Sequence, residues 1–207
     1  KENPDILGFS TLTGSGQTAA TIAKEVKNEN SNITIVFGGY HATFNAERLL
    51  KKYPYIDIAV RGEGEHTVIE LVEHLEKRQK LKNVLGITFR EKNETRSTPD
   101  RPLIEKLDSL PFPDRKLLNL EYHSTIAGAN IAPKKFACII SSRGCPYRCR
   151  FCSCRRIARG IWRRRSVENM FEEFRLLVSE GYKQFMFVDD SFTVNQKRVV
   201  EFCQKIR

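Results

Sequence analysis

The sequence has no apolar run long enough to cross a bilayer, so it predicts no membrane span. Cysteine is scarce: the 207 residues hold six, fewer than a disulfide scaffold needs, and four of these lie within 145–154, too close together to join distant elements. Acidic residues are absent from 143–165, a stretch with nine arginines, in a chain whose net charge is +10. These absences favour metal or redox chemistry in a reducing, cytoplasmic setting. Because the chain begins at Lys1 and not at Met, we expect a fragment or a processed product.

The N-terminal part alternates short apolar runs with amphipathic helical patterns. Strands are predicted at 5–10, 33–39 and 56–60, and helices at 16–30, 42–53 and 65–78. Strands separated by helices of this length predict βαβ crossovers, and hence a parallel sheet with helices on its faces. Residues 86–99 predict a strand and a polar turn, as in a hairpin. Three parallel strands make a thin sheet, so we expect further strands before Lys1.

The pattern changes after residue 98. Residues 99–133 lose their periodicity and contain Pro111 and Pro113, which fix φ and remove hydrogen-bond donors, so we predict a linker there. A second βα series follows, with strands at 136–141 and 184–190 and helices at 166–181 and 195–206. Ser166 is predicted to cap the first of these helices and Gly181 to end it. Two βα units cannot close a barrel, so we expect the second domain, 134–207, to be truncated at its C-terminal end.

Three of the clustered cysteines form a C-x3-C-x2-C pattern directly after a predicted strand: Cys145, Cys149 and Cys152. Three thiolates can hold three irons of a [4Fe–4S] cluster and leave the fourth iron open for a ligand. A zinc site that adds Cys154, or disulfides within the loop, are the alternatives, but zinc motifs pair two knuckles separated by about a dozen residues or more. The cluster is the preferred interpretation. Cys154 is then a spare thiol, and Cys138 and Cys203 are expected to be small buried hydrophobes.

The arginines between Arg143 and Arg165 allow two explanations. Nucleic-acid binding is one of them. A solvated loop that also holds an anionic ligand is the other, and we prefer it because guanidinium groups pair well with carboxylate and phosphate.

With Phe151 before its last cysteine, the loop resembles the cluster loop of the radical S-adenosylmethionine (SAM) superfamily. The resemblance implies that the three cysteines hold a [4Fe–4S] cluster whose open iron binds SAM. An electron from the reduced cluster would cleave SAM into methionine and a 5′-deoxyadenosyl radical. Phe151 would then lie near the adenine. Asp189 and Asp190 stand where many members carry a Gly-rich motif that meets the SAM ammonium, although they can also simply cap the turn into the next helix.

The stretch 161–174, IWRRRSVENMFEEF, resembles the W-R-x-R-S-x-E stretch of the same families. The resemblance implies that one of the arginines in 163–165 binds the carboxylate of SAM or an anionic substrate, and Arg165 is our candidate. Trp162 is as well explained by packing as by a ligand contact.

Ser10 and Leu12 form an S-x-L element at the end of the first predicted strand, and Gly38 and Gly39 close the second. Open α/β sheets bind ligands at these strand ends, where glycines let the backbone approach a bulky group. Together the two elements resemble the second half of cobalamin-binding domains, in which they line the pocket for the nucleotide tail. The resemblance implies that these four residues contact cobalamin. The cobalt-ligating D-x-H-x-x-G element of many such domains is not in this chain, and we interpret His41 as structural or solvated.

The order of VRGEGEHTVIELVEHL, GITFR, LDSLPFPDR and the cysteine loop resembles radical SAM enzymes with an N-terminal cobalamin-binding domain. The magnesium-protoporphyrin monomethyl ester oxidative cyclase group is the family that it resembles most. The implied fold class is α/β, with a partial Rossmann-like parallel sheet of the cobalamin-binding type in 1–98 and the first βα units of a radical-SAM partial TIM barrel in 134–207. The implied activity is radical methyl transfer, oxidative cyclisation or rearrangement of a small-molecule substrate, with flavodoxin or ferredoxin as the electron donor.

Two other functions are weighed against this one. Radical SAM methylthiolation of transfer RNA would use the arginines on phosphate, but the S-x-L and GG elements argue against it. A zinc-stabilised nucleic-acid-binding module would need Cys154 as a fourth ligand and would lose affinity steeply with salt.

Overall fold

The computed structural model describes residues 3–92, 94–117, 125–126, 129–130 and 135–207. They divide into two compact units, Lys1–Leu103 and Ile104–Arg207. Much of the predicted linker, at 118–124, 127–128 and 131–133, lies outside the described residues, so the domain boundaries stay a prediction. No helix in the described part of the chain is both long enough and apolar enough to span a membrane.

The first unit is built on a five-stranded sheet in the order β1-β2-β3-β4-β5. Its strands are β1 (Ile6–Ser10), β2 (Thr34–Gly38), β3 (Ile58–Val60), β4 (Ile87–Glu91) and β5 (Glu94–Ser97), and its helices are α1 (Gly16–Glu29), α2 (Gly39–Lys52) and α3 (Glu65–Glu76). The first three strands pair in parallel, whereas β4 pairs antiparallel with β3 and forms a hairpin with β5. The predicted α/β class with a parallel sheet is confirmed.

The two faces of this sheet carry separate cores. Residues of α1 and α2 pack with Ile35 and Phe37 on one face, where Leu7 and Phe9 of β1 also pack. Leu71 of α3 packs on the other face, where Ile6 joins the cluster. Because side chains alternate along a strand, Gly8 and Ser10 share the face of Ile6 and α3.

The second unit is assembled from shorter strands. They are β6 (Thr125–Ile126), β7 (Ala129–Asn130), β8 (Phe136–Ile139), β9 (Ser142–Arg143), β10 (Arg163–Arg164) and β11 (Gln184–Phe187), with helices α4 (Cys154–Ala158), α5 (Val167–Ser179) and α6 (Gln196–Lys205). β8 and β11 pair in parallel, as predicted for successive βα units, and β9 pairs antiparallel with β10. Both predicted ends of α5 are confirmed: the Ser166 hydroxyl accepts from Asn169 N at 3.1 Å, and Gly181 has φ 86°.

The expectation that Cys138 and Cys203 are buried is wrong, because both are exposed. On β8 the side chains of Ala137 and Ile139 point into the core, so Cys138 between them points away from it. On α6 the core contact belongs to Phe202, and Cys203 follows it on the outer side.

Candidate functional site

The cysteine loop begins immediately after β9 and is fixed at its first turn. Gly144 has φ +86°, and a Cβ there would lie 2.2 Å from the carbonyl O of Ile161, so only glycine is accommodated. The backbone N of Gly144 donates to Asp190 Oδ2 at 2.8 Å, which ties the loop to the end of β11. The three cysteines of the C-x3-C-x2-C pattern therefore start from an anchored position at the carboxyl ends of β8 and β11.

Three thiols of this loop have the chemistry of cluster ligands. Cys145 is half-buried, whereas Cys149 and Cys152 are exposed, and the backbone N of Cys152 donates to Cys149 O at 3.2 Å. Within the described residues, no three His, Cys, Asp or Glu side chains lie close enough together to hold a metal ion. The donor set nevertheless fits an iron–sulfur cluster, since it offers accessible thiols without a competing carboxylate between residues 143 and 165.

Cys154 differs from these three thiols in its surroundings. Burial, a hydrogen bond to Asp190 and the charge of that carboxylate together raise the pKa of the Cys154 thiol to about 12. In the protein without metal the thiol is thus held in its protonated form. Cys154 and Asp190 are in contact in the structure, and nothing in the sequence predicts this contact.

The two aspartates that end β11 have different environments. The side chain of Asp189 is fully buried, and its carboxylate accepts from Ser141 N at 2.7 Å and from the Ser142 hydroxyl at 2.6 Å. Arg198 lies 3.9 Å from the same carboxylate, and burial lowers the pKa of this arginine while Asp189 opposes that effect. Asp190 is exposed and holds Gly144. Only Asp190 therefore presents carboxylate surface to a ligand.

The three consecutive arginines also divide by burial. Arg163 is buried and donates to Ile104 O at 2.7 Å. Arg165 is buried as well, and its guanidinium donates to Ile140 O, to Glu173 and to both oxygens of Asn169. Arg164 is exposed, and its guanidinium carbon lies 5.6 Å from the centroid of the Trp162 ring. Of the predicted arginine candidates, Arg164 is the one that a ligand can reach.

A buried ion pair supports Arg165 and was not anticipated from the sequence. The Glu173 side chain is 1% exposed and accepts from Arg165 and, at 2.9 Å, from Arg115. Arg115 also donates to Cys138 O at 2.7 Å, so one guanidinium joins the segment after Pro113 to α5 and β8. The only signal in the sequence was an acid at a core position of an amphipathic helix, between Met170 and Leu177.

The predicted cobalamin elements of the first unit do converge. Ser10 and Gly38 are register partners in β1 and β2. Gly39 has φ +84°, and a Cβ there would lie 2.8 Å from both N and O of Thr11 and 3.2 Å from Ser10 Oγ. Gly39 therefore lets the two strand ends approach each other. Leu12 follows with 62% of its surface exposed, available to an apolar ligand.

The face of β1 on the side of α3 is open to solvent at Gly8 and Ser10, and we call this exposed strip the trough. Gly8 and Ser10 are exposed there, and a Cβ added at Gly8 would meet no atom within 4 Å. The sheet thus offers bare backbone followed by a hydroxyl, which fits a flat group that lies against the sheet with one polar edge.

Two protein-family models match the chain, each over one of these regions. The B12 binding domain matches residues 1–72, and the radical SAM superfamily matches residues 139–207. The chain is a radical SAM protein with an N-terminal B12-binding domain. The resemblance stated from the sequence is confirmed, and the thiol loop of this radical SAM protein lies within the second match.

Curated proteins match nearly the whole length of this chain. An uncharacterized methyltransferase of Pyrococcus horikoshii is 40% identical over all of the chain and 44% of its own length. The anaerobic magnesium-protoporphyrin IX monomethyl ester cyclase of Cereibacter sphaeroides is 33% identical over 98% of the chain and 33% of its own length. This chain thus spans less than half of the length of the curated relatives that it matches.

Solved structures share the fold. The structure of OxsB, a cobalamin-dependent SAM radical enzyme with aqua-cobalamin and SAM bound, is 24% identical with a TM-score of 0.72 and covers 97% of this chain and 28% of its own. TsrM from Kitasatospora setae with cobalamin and a [4Fe–4S] cluster bound also gives a TM-score of 0.72 at 16% identity, over 100% of this chain and 41% of its own. At such identities the likeness concerns the fold.

Proposed function

We propose that this chain is the cofactor-binding part of a cobalamin-dependent radical SAM enzyme. Its reaction is methyl transfer to, or oxidative cyclisation or rearrangement of, a small-molecule substrate. The observation that carries the proposal is the presence of two built ligand sites, an anchored thiol loop after β9 and an open trough at the end of β1.

At the thiol loop, Cys145, Cys149 and Cys152 would hold a [4Fe–4S] cluster. With SAM bound, such a cluster would supply radical hydrogen abstraction. The protein contributes a loop whose start is fixed by Gly144 and Asp190. The hydrogen bond between Cys154 and Asp190 engages this thiol elsewhere and supports a set of three cysteines over the four that a zinc site would use.

The exposed side chains beside this loop are the candidates for SAM. Phe151, 94% exposed, would pack on the adenine, and the carboxylate of Asp190 would meet the ammonium. The burial of Asp189 and Arg165 supports a positioning role for both: Asp189 holds Ser141 and Ser142, and Arg165 holds α5. We therefore assign the carboxylate contact, for which the sequence named Arg165, to the exposed Arg164.

At the trough, Ser10 and Leu12 with Gly38 and Gly39 would receive the nucleotide tail of cobalamin. The open space above Gly8 supports this role, because a flat ring system needs a stretch of sheet without side chains. The solved relatives with bound cobalamin also support it.

The electron donor in this proposal is a flavodoxin or ferredoxin, and the setting is the cytoplasm. The exposed arginines around the thiol loop, among them Arg148 and Arg150, support an acidic donor protein. The clustered thiols support a reducing compartment.

The decisive experiment is anaerobic reconstitution with iron and sulfide, followed by electron paramagnetic resonance of the reduced protein with and without SAM. We expect a [4Fe–4S] signal that SAM perturbs, that Cys149→Ala abolishes and that Cys154→Ala retains. If the protein instead keeps one zinc ion, and Cys154→Ala loses it, the loop is a structural zinc module and the proposed radical function is wrong.

Cobalamin binding is tested separately by titration with aquacobalamin, followed by its visible absorption. The Cβ atom that Gly8→Val adds to the trough meets no atom within 4 Å, so the protein should fold normally and bind aquacobalamin at least about tenfold more weakly. Gly14→Val is the matched control, because a Cβ at Gly14 also meets no atom within 4 Å but lies outside the trough. If Gly8→Val and the wild type bind aquacobalamin with equal affinity, the trough is not the cobalamin site.

A further inference from the structure

A cavity lies in the first unit, on the face of the sheet that α1 and α2 cover. It has a volume of about 340 Å³ and is bordered by the start of α1 and by one side of α2. The trough at Gly8 and Ser10 lies on the opposite face, beside α3. The cavity lining therefore shares no residue with the proposed cobalamin site or with the thiol loop.

The cavity wall is basic. Five residues of α2 line it, Leu49 and four polar residues at helical spacing: His41, Asn45, Arg48 and Lys52. Thr13 and Gln17 line the side of α1, and no acidic residue is among the described residues of the lining. Within the described part of the chain, Arg48 and Lys52 have no carboxylate partner. Two cationic groups and several neutral donors thus converge on one space without an anion.

His41 is built into this wall. A Cβ at Gly16 would lie 2.7 Å from His41 Cδ2, so the glycine lets the imidazole pack against the first turn of α1. The Nδ1 atom of His41 is inaccessible to water and has no hydrogen-bond partner. Of the two interpretations of His41, structural or solvated, this packing agrees with the structural one.

The helices add to the positive character of the cavity. The first N–H groups of α1 have no acceptor within the helix, and Ser15 does not cap them with its side chain. The backbone of α2 departs from helical geometry at Asn45, with φ −128° and ψ 20°, where the Asn45 amide donates to His41 O at 3.1 Å. This irregularity lies at the centre of the lining.

We propose that this cavity binds a small phosphorylated anion. Arg48 and Lys52 supply the countercharge, and Gln17 and Asn45 supply hydrogen bonds. The volume is that of a small-molecule site. The site is independent of the radical chemistry, so its test does not need a cluster or cobalamin.

The probe is sodium pyrophosphate, titrated into the chain in an isothermal calorimeter at physiological ionic strength. We expect saturable binding at one site with a Kd below about 1 mM. Arg48→Gln/Lys52→Gln should raise this Kd at least about tenfold, because it removes both cations from the wall. The matched control is Lys24→Gln/Lys51→Gln, which removes the same charge from α1 and α2 outside the lining and should change the Kd less than about twofold. An equal loss in the control, or no saturation, would overturn the proposal.

A second measurement covers the case in which the double variant fails to fold. Amide and imidazole chemical shifts of the wild-type chain are recorded by nuclear magnetic resonance as pyrophosphate is added. The site predicts shifts concentrated at Thr13, Gln17 and His41. Shifts confined to the arginines of 143–165 would show that pyrophosphate binds at the thiol loop, and would refute the cavity as its site.

Discussion

Asp189 accepts two hydrogen bonds from Ser141, one from the backbone N at 2.7 Å and one from the hydroxyl at 2.5 Å. The two residues lie just beyond β11 and β8, which are adjacent parallel strands. A fully buried carboxylate thus joins the two strand ends from which the thiol loop departs. Its internal partners explain its burial without a ligand.

Asp189→Asn should destabilise the protein by about 1–3 kcal/mol. An amide N–H₂ in place of one carboxylate oxygen faces hydroxyl donors and the guanidinium of Arg198. Urea unfolding monitored by circular dichroism measures the change. Glu201→Gln, at an exposed position of α6, is the control and should be within about 0.5 kcal/mol of the wild type. Equal midpoints for the two variants would contradict the structural role of Asp189.

Glu173→Gln should cost more, about 3–5 kcal/mol, because it leaves the charges of Arg115 and Arg165 without a buried partner. Its neighbour Glu172 is exposed on the same helix, so Glu172→Gln provides a control that removes the same charge. Comparing the thermal or urea unfolding of the two variants isolates the contribution of the buried ion pair to the free energy of unfolding. A Glu173→Gln protein as stable as Glu172→Gln would show that the pair contributes little.

Gly39→Ala should unfold or loosen the end of β2. A Cβ at φ +84° and 2.8 Å from Thr11 N and O forces the strand ends apart, at a cost of about 2 kcal/mol or more. Gly14→Ala, in open space, should leave the unfolding midpoint nearly unchanged. The prediction fails if hydrogen exchange of the Thr11 amide, which donates to Gly38 O at 2.9 Å, is equally slow in both variants.

Cys154 should react slowly with iodoacetamide in the protein without metal. Its pKa of about 12 leaves little thiolate near neutral pH, so the rate should keep rising about tenfold per pH unit well above pH 9. Asp190→Asn removes a negative charge and a hydrogen bond that favour the thiol. The pKa then falls and alkylation at a fixed pH accelerates, as peptide mass spectrometry can measure. An unchanged rate in Asp190→Asn would show that Asp190 does not hold this thiol.

The longer strands and the helices α1, α2, α3, α5 and α6 follow from periodicity, since β-branched runs and amphipathic helices are local properties. The antiparallel pairing of β4 with β3 does not, because pairing direction depends on the path of the chain after α3. The two-residue strands β9 and β10 carry too few residues for any periodicity.

The candidate site shows the same limit. Ser10, Gly38 and Gly39 come together because they end neighbouring parallel strands, which topology alone dictates. Arg163, Arg164 and Arg165 are identical in the sequence, yet their burial alternates. Alternation is a property of extended chain, but nothing in three consecutive arginines indicates that they form a strand.

The charged edge of the first sheet also affects how the chain meets other chains. β5 is the last strand of that sheet, and the exposed Arg96 next to this edge pairs with Glu91 at 2.9 Å. An incoming strand would have to strip water from these charges before it could form backbone hydrogen bonds. Amyloid-like growth of this unit is therefore opposed at β5, and sequence changes that neutralise Glu91, Glu94 and Arg96 would make the protein more prone to aggregate on storage.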